Sequence, residues 1–320
     1  MKRPFTSTKI PRLAGALLAL AILLSACGEP TPFYPTTRVM TITPTTGETK
    51  MPPTAAAPTA TLSPTAQVYD PNVPESWMYL PVIPEGVSQR VRDLYEKGKT
   101  SGLNQEAFSK VGDCETYSPY FLAPFDLKAS GYRLGAYSSL GTVISGYAGS
   151  FERASQAADP GASVAWVLSP LLADPAVCRS NETPLICEIR IHKPAVMLVM
   201  FGTNDVKTST REGFEGNLKR LLDLAIANNV VPVLVTKADN LEGDGSMNAI
   251  IARVAYEYEL PLFNLWRAMQ PLPNAGLMDD GIHLTYAQPY FDLPENMQMG
   301  WPVRNLTTLQ MLEFLRSELE

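Results

Sequence analysis

A chain of 320 residues that is 45% hydrophobic and 18% charged has apolar material for one large core or two modest ones. Its net charge of −6 and lack of a basic cluster argue against nucleic acid as a partner. No metal-ligand spacing and no phosphate-cradling loop occurs, so neither a metal nor a cofactor is implied.

Met1 to Cys27 reads as an export signal. Lys2, Arg3, Lys9 and Arg12 precede an uncharged run from Leu13 to Leu24, and small residues follow. That run is about a dozen residues, too short to span a bilayer as a helix. Leu24-Ser25-Ala26-Cys27-Gly28 resembles the lipobox of bacterial lipoproteins, where the signal is cut before the Cys and the new N-terminal residue is lipidated. The resemblance implies a lipid anchor at Cys27 and a place on the extracytoplasmic side of a bacterial cell membrane. Thr, Pro and Ala then dominate up to about Glu75, and such a segment cannot repay its ordering entropy. The expected organisation is a signal peptide over 1–26, a lipidated, disordered tether over 27–75 and one folded domain over 76–320.

In the folded part, Val87–Tyr95 has apolar residues at helical spacing and is predicted to form an entry helix ending towards Gly98. Ala107–Gly112 reads as a short strand running into the corner Asp113-Cys114-Glu115-Thr116. Tyr132–Tyr147 is predicted as helix, Ser150–Gln156 as a strand, and Ala162–Leu168 as the first turns of a helix with Gly161 at its N-terminus. The loop between Cys178 and Cys187 is polar, and a disulfide closing it would contribute about 2–3 kcal/mol. Ala195–Phe201 is continuously apolar, which suits a central parallel strand buried on both faces, and it ends at Gly202-Thr203-Asn204-Asp205. Gly213–Asn229 is an amphipathic helix, Val230–Thr236 a buried strand, Met247–Tyr258 a helix, Pro261–Leu265 a short strand and Asn305–Leu319 a closing helix. Gln288–Pro302 reads as a lid or wall, and Glu115–Ser130 and Ala173–Ile191 as loops that set specificity. Strands alternating with helices imply an α/β fold whose parallel sheet is covered on both faces, with ligands at the carboxyl ends of the strands.

The chemistry concentrates in Asp279-Asp280-Gly281-Ile282-His283-Leu284. A carboxylate three residues before a histidine, on an Asp-Gly turn, can hold an imidazole in one short loop, and that is half of a hydrolase triad. The chain has only two histidines, and the other, His192, is read into a charged pre-proline turn. Asp113 is expected to pin its own loop, and Glu115 to be polar rim. Trp266, Tyr286, Tyr290, Phe291 and Trp301 are read as core or wall packing, with sugar stacking as the alternative.

Over roughly residues 105–290 the chain resembles the SGNH (GDSL-type) hydrolase family, whose four blocks occur in order. They are Val111-Gly112-Asp113-Cys114, then Gly161 (with Gly146 and Gly149 as alternatives), then Gly202-Thr203-Asn204-Asp205, then Asp280-Gly281-Ile282-His283-Leu284. The resemblance implies a single three-layer α/β/α domain with a mainly parallel, flavodoxin-like sheet. It implies Cys114 as nucleophile, His283 as general base and Asp280 as the group orienting the imidazole. The N–H groups of Cys114 and Gly161, with the Asn204 amide, would form the oxyanion hole. The family has Ser where this chain has Cys114. The expected activity is hydrolysis of small-molecule or glycan esters, and the alternative is a catalytically impaired module that binds glycans or acyl groups.

Overall fold

The computed structural model of the protein describes residues 69–127 and 129–320, all within one unit spanning Ala60–Glu320. The stretches read as export signal, as lipidation site (Cys27) and as tether up to residue 68 lie outside the described residues. Within the last part of the stretch read as tether, Tyr69 already sits edge-on to Tyr256, with ring centroids 5.3 Å apart. Trp77, in a 3-10 turn over Ser76–Tyr79, is buried against Trp266. Among the described residues no helix is long and apolar enough to cross a membrane.

Among the described residues four parallel strands form the sheet in the order β1 (Asn104–Gly112), β2 (Pro194–Met200), β3 (Val231–Val235) and β4 (Leu262–Phe263). Every residue of β2 and β3 is buried. Their unbroken apolar runs therefore reflect cover on both faces, as a parallel sheet requires. The strand expected over Ser150–Gln156 does not form. The Asp126 carboxylate takes the N–H groups of Gly149, Phe151 and Glu152, and Glu188 takes that of Gln156, so side chains replace the ladder partners. Just beyond, Ala158 makes a single parallel bridge to Gly112, with Gly112 N–H on Ala157 O (3.1 Å) and Asp159 N–H on Gly112 O (3.2 Å). That rung puts residues 157–159 on the outer side of β1, which gives the flavodoxin-like order expected from the family resemblance.

Among the described residues ten α-helices, five of them of six residues or fewer, accompany the sheet. The first, α1 (Gln89–Thr100), is N-capped by Ser88, whose hydroxyl accepts from Val91 N–H, and it runs past Gly98. At the end of β1, α2 (Cys114–Tyr117) is one turn. The expected Tyr132–Tyr147 helix is instead a 3-10 stretch, Gly135–Leu140, and the short α3 (Gly141–Gly146), broken where Tyr137 leaves helical geometry. Its Gly and Ser content leaves too little propensity to sustain one helix. Then comes α4 (Val164–Val167), one turn capped by Ser163, so Gly161 lies two residues ahead of the cap and not at the helix end.

The stretch read as a loop before β2 contains a helix, α5 (Pro184–His192). Thr183 caps it and Pro184 opens it, a start signal present in the sequence. His192 therefore sits in the last turn of α5, 3.7 Å from the buried Glu188, and not in an open turn. After α6 (Asp205–Thr208), the helix α7 (Arg211–Ala227) buries Phe214, Leu218, Leu221, Leu222 and Ala225. Each large side chain among these contributes on the order of 2 kcal/mol by leaving water. Next are α8 (Ser246–Glu257) and α9 (Leu265–Met269). The closing helix α10 (Gly300–Leu319) starts five residues earlier than its apolar pattern suggests. Gly300 lies so close to Gly276 O and Leu284 that a Cβ there would collide, and Trp301 is buried. The end of the 288–302 segment is thus a packed wall.

Candidate active site

The first component is the corner where β1 becomes α2. A Cβ on Gly112 would run into the Thr116 side chain and the Met200 carbonyl, so only glycine lets the chain turn this close to β2. Asp113 then caps α2, its Oδ1 accepting from Glu115 N–H at 3.2 Å. This is the loop-pinning role expected of it. The same carboxyl is 1% exposed and its Oδ2 has no hydrogen-bond partner among the described residues. Burial, reinforced by the neighbouring charge of Glu115, pushes its pKa up to about 7. Cys114 is the first residue of α2 and half-buried. The disulfide joins Cys178 to Cys187, as expected, and leaves Cys114 outside it.

Glu115 departs from expectation. It is a buried residue, 6% exposed, and not polar rim. Its partner is Arg304 from the second turn of α10, which donates to the Glu115 backbone carbonyl at 2.7 Å and stands 3.5 Å from Oε2. Arg304 also lies over the Phe121 ring at 3.9 Å, and burial pushes its pKa down to about 10 against the opposing pull of Glu115, Asp113 and Cys114. Burial likewise raises Glu115 to about 7 despite Arg304 and His283 nearby. Sequence reasoning missed Arg304, because an Arg inside a helix heptad looks solvated. The signal lay in the apolar residues around it, Trp301, Leu306, Leu309 and Leu312.

The second component is the loop over 277–284, which follows α9 and a 3-10 turn at Pro273–Gly276, and so reaches the rim by helical turns after β4. Leu277 and Leu284 bridge it antiparallel, and Met278 N–H donates to His283 O at 2.7 Å. Gly281 takes φ +68°, a left-handed turn suited to glycine. Inside the loop Asp280 Oδ1 accepts from the N–H groups of Ile282 (2.9 Å) and His283 (3.0 Å), and its Oδ2 meets His283 Nδ1 at 2.6 Å. Partial burial would raise the Asp280 carboxyl, but these three bonds outweigh it and hold it below its ordinary value. With Nδ1 on the carboxylate, Nε2 is the nitrogen left to act on a substrate or nucleophile. Leu284 N–H, one residue on, donates to Glu115 Oε1 at 3.3 Å, which ties this loop to the residue beside Cys114.

The third component comes from the ends of β1's neighbours. The carboxylate of Asp205 receives Val164 N–H (3.0 Å) and Gly202 N–H (3.2 Å), joining the α4 start to the end of β2. Burial raises Asp205 to about 6. Next to it, the Asn204 side-chain amide donates to Pro160 O (3.1 Å) and Ala162 O (2.9 Å), which flank Gly161. Gly161 N–H goes to Asp159 Oδ1 at 2.9 Å. Gly161 and Asn204 are therefore neighbours, as the family resemblance implies, but both donate to other groups of the protein. Two of the three donors expected of the oxyanion hole are engaged within the protein itself.

A further buried ionic group lies on the same rim. Lys237, following β3, donates to Asp239 Oδ1 (2.7 Å) and Glu242 Oε2 (2.5 Å), and Thr203 Oγ1 donates to Asp239 Oδ2 (2.7 Å). On the outside, the Tyr120 and Tyr286 rings meet at a tilt of 43° with centroids 4.4 Å apart. Of the other aromatic residues singled out, Trp266, Phe291 and Trp301 pack with Trp77, Phe125 and Tyr120 respectively, and Tyr290 lies under the Arg133 guanidinium at 4.3 Å.

Residues 157–287 match the GDSL-like Lipase/Acylhydrolase family. The match holds Gly161, Asn204, Asp280 and His283 and begins after Cys114. No curated protein matches. Among solved structures, a GDSL-like lipase from Bacteroides thetaiotaomicron VPI-5482 is 14% identical, with 70% of this chain and 97% of that chain covered and a TM-score of 0.41. A psychrotrophic esterase from Pseudoalteromonas sp. is 11% identical, with 67% and 100% covered and a TM-score of 0.41. A carbohydrate esterase family 3 protein from Talaromyces cellulolyticus is 15% identical, with 65% and 98% covered and a TM-score of 0.39.

Proposed function

We propose that this chain is an ester hydrolase of the GDSL-like lipase/acylhydrolase type, which uses Cys114 as nucleophile, His283 as general base and Asp280 as the group that orients the imidazole. The single observation that carries the reading is the 2.6 Å His283–Asp280 pair, in a loop bonded by Leu284 N–H to the residue next to Cys114. A binding site has no need of an imidazole whose Nδ1 is fixed by a carboxylate.

In the proposed reaction His283 Nε2 takes the thiol proton and the Cys114 sulfur attacks the ester carbonyl, forming a C–S bond. The carbonyl electron pair moves onto oxygen, where preorganised N–H donors stabilise it. When the carbonyl re-forms, the C–O bond to the alcohol breaks and the imidazolium returns the proton to the leaving alkoxide. Water, deprotonated by His283, then cleaves the thioester, releasing the acid and restoring the thiol. Asp280 keeps its proton-free, oriented state throughout, consistent with its lowered pKa. The substrate class is a small-molecule or glycan ester. The same proposal includes a lipid anchor at Cys27, on the extracytoplasmic side of a bacterial membrane, from the lipobox-like Leu24–Gly28. Labelling with radioactive palmitate that survives Cys27→Ala would remove the anchor.

The test of catalysis is kinetic. Short-chain aryl esters and acetylated oligosaccharides are assayed with wild type, Cys114→Ala, Cys114→Ser and His283→Ala. Loss of about a thousandfold or more in kcat for the Ala variants is expected. One observation favours a second reading, a catalytically impaired glycan- or acyl-binding module: both Gly161 and Asn204 donate to other groups of the protein. Absence of turnover in wild type, with turnover restored in Cys114→Ser, would select it.

A further inference from the structure

Glu115 touches both halves of the proposed site. Its backbone follows Cys114, its Oε1 accepts Leu284 N–H at 3.3 Å, and Arg304 anchors it through the backbone carbonyl at 2.7 Å. Leu284 is buried and adjoins His283 in sequence, so this acceptor joins the loop that carries the imidazole to the nucleophile corner. Burying a carboxylate and a guanidinium costs more than an apolar pair of similar volume would.

We infer that Glu115 is a positioning residue, which latches the Asp280–His283 loop to the Cys114 corner by accepting the Leu284 N–H and is itself held in place by Arg304. This deepens the proposed hydrolase and rests on that reading. The latch acts through the imidazole and touches no substrate. The charged and titratable groups that bear on Glu115 are Arg304, His283, Asp239 and, from its own corner, Asp113. Removing the acceptor frees Leu284 N–H and lets the His283 ring drift from Cys114. Replacing it with an amide keeps an acceptor oxygen in place.

The test reads Cys114 directly, in the full-length protein, as the pH dependence of its alkylation by iodoacetamide, followed on its own peptide by mass spectrometry. A thiol coupled to an imidazole ionises below the ordinary thiol range near 8.5. His283→Ala is therefore expected to move the wild-type inflection up into that range. Glu115→Ala is expected to move it the same way, and Glu115→Gln to leave it near wild type. Because Glu115→Ala leaves Arg304 buried without a counter-charge, the double variant Glu115→Met/Arg304→Met is measured as well. It removes both charges at similar volume and is expected to behave like His283→Ala. A shift in His283→Ala with none in Glu115→Ala or in the double variant overturns the latch and leaves the hydrolase reading standing. No shift in His283→Ala overturns that reading, and the latch with it.

Discussion

Asn204 donates its side-chain amide to Ala162 O at 2.9 Å and, through the second hydrogen, to Pro160 O at 3.1 Å, so it brackets Gly161 from the end of β2. An amide with both hydrogens committed stabilises an oxyanion only by exchanging one of them. Asn204→Ala is therefore expected to lower kcat by about 10²–10³, since the donor matters once charge develops, and to leave KM within about a factor of three. Steady-state kinetics on an aryl acetate checks this. A change in KM alone would mean that Asn204 only shapes the 160–162 loop.

The buried carboxyl of Asp113 makes stability depend on pH. Its folded pKa of about 7 lies above the ordinary carboxylate value, so the fold favours its neutral form. The contribution is fully present below about pH 4 and is lost as pH rises through about 7. Glu115, raised to about 7 as well, has the same sign. Wild type is expected to lose stability between pH 5 and pH 8. Asp113→Asn keeps Oδ1 as the cap acceptor for Glu115 N–H, so it is expected to match wild type near pH 4. At pH 8 it should gain on the order of 1 kcal/mol or more. Urea midpoints across that range decide it, and a difference independent of pH would show that Asp113 does not titrate there.

The Cys178–Cys187 bridge closes a separation of nine residues and fixes the start of α5. Loop-closure entropy puts its contribution at about 2–3 kcal/mol. The variant Cys178→Ser/Cys187→Ser is expected to melt several degrees lower, with Cys114 chemistry retained at temperatures where the fold persists. Calorimetry with parallel alkylation of Cys114 measures both. Next to Cys187, Glu188 binds Ser109, Arg153 and the Gln156 N–H, so a loss of Cys114 reactivity would instead show that α5 shapes the site.

The sequence made the central elements legible where burial is two-sided. The unbroken apolar runs Ala195–Phe201 and Val230–Thr236 can only be covered strands, and they became β2 and β3. The Asp280–His283 pair was legible for a different reason, since its contacts lie within four residues. What stayed hidden depends on long-range polar partners. Ser150–Gln156 has the composition of a strand, yet Asp126 and Glu188, distant in sequence, claim its N–H groups. Glu115 looks like a solvated rim until Arg304, nearly two hundred residues away, is brought onto it. The commitments of Gly161 and Asn204 are also absent from any local pattern, because Asp159 and two carbonyls decide them.

The measurement that bears most directly on the catalytic assignment is capture of the acyl group. Full-length protein is mixed with an activated aryl acetate, quenched in acid during turnover and digested, and the peptide holding Cys114 is weighed. An acetyl thioester on Cys114 is expected in wild type, longer-lived in His283→Ala because water is no longer deprotonated, and absent in Cys114→Ala. Phenol release by wild type with no acetyl on Cys114, or turnover in Cys114→Ala equal to wild type, would contradict it.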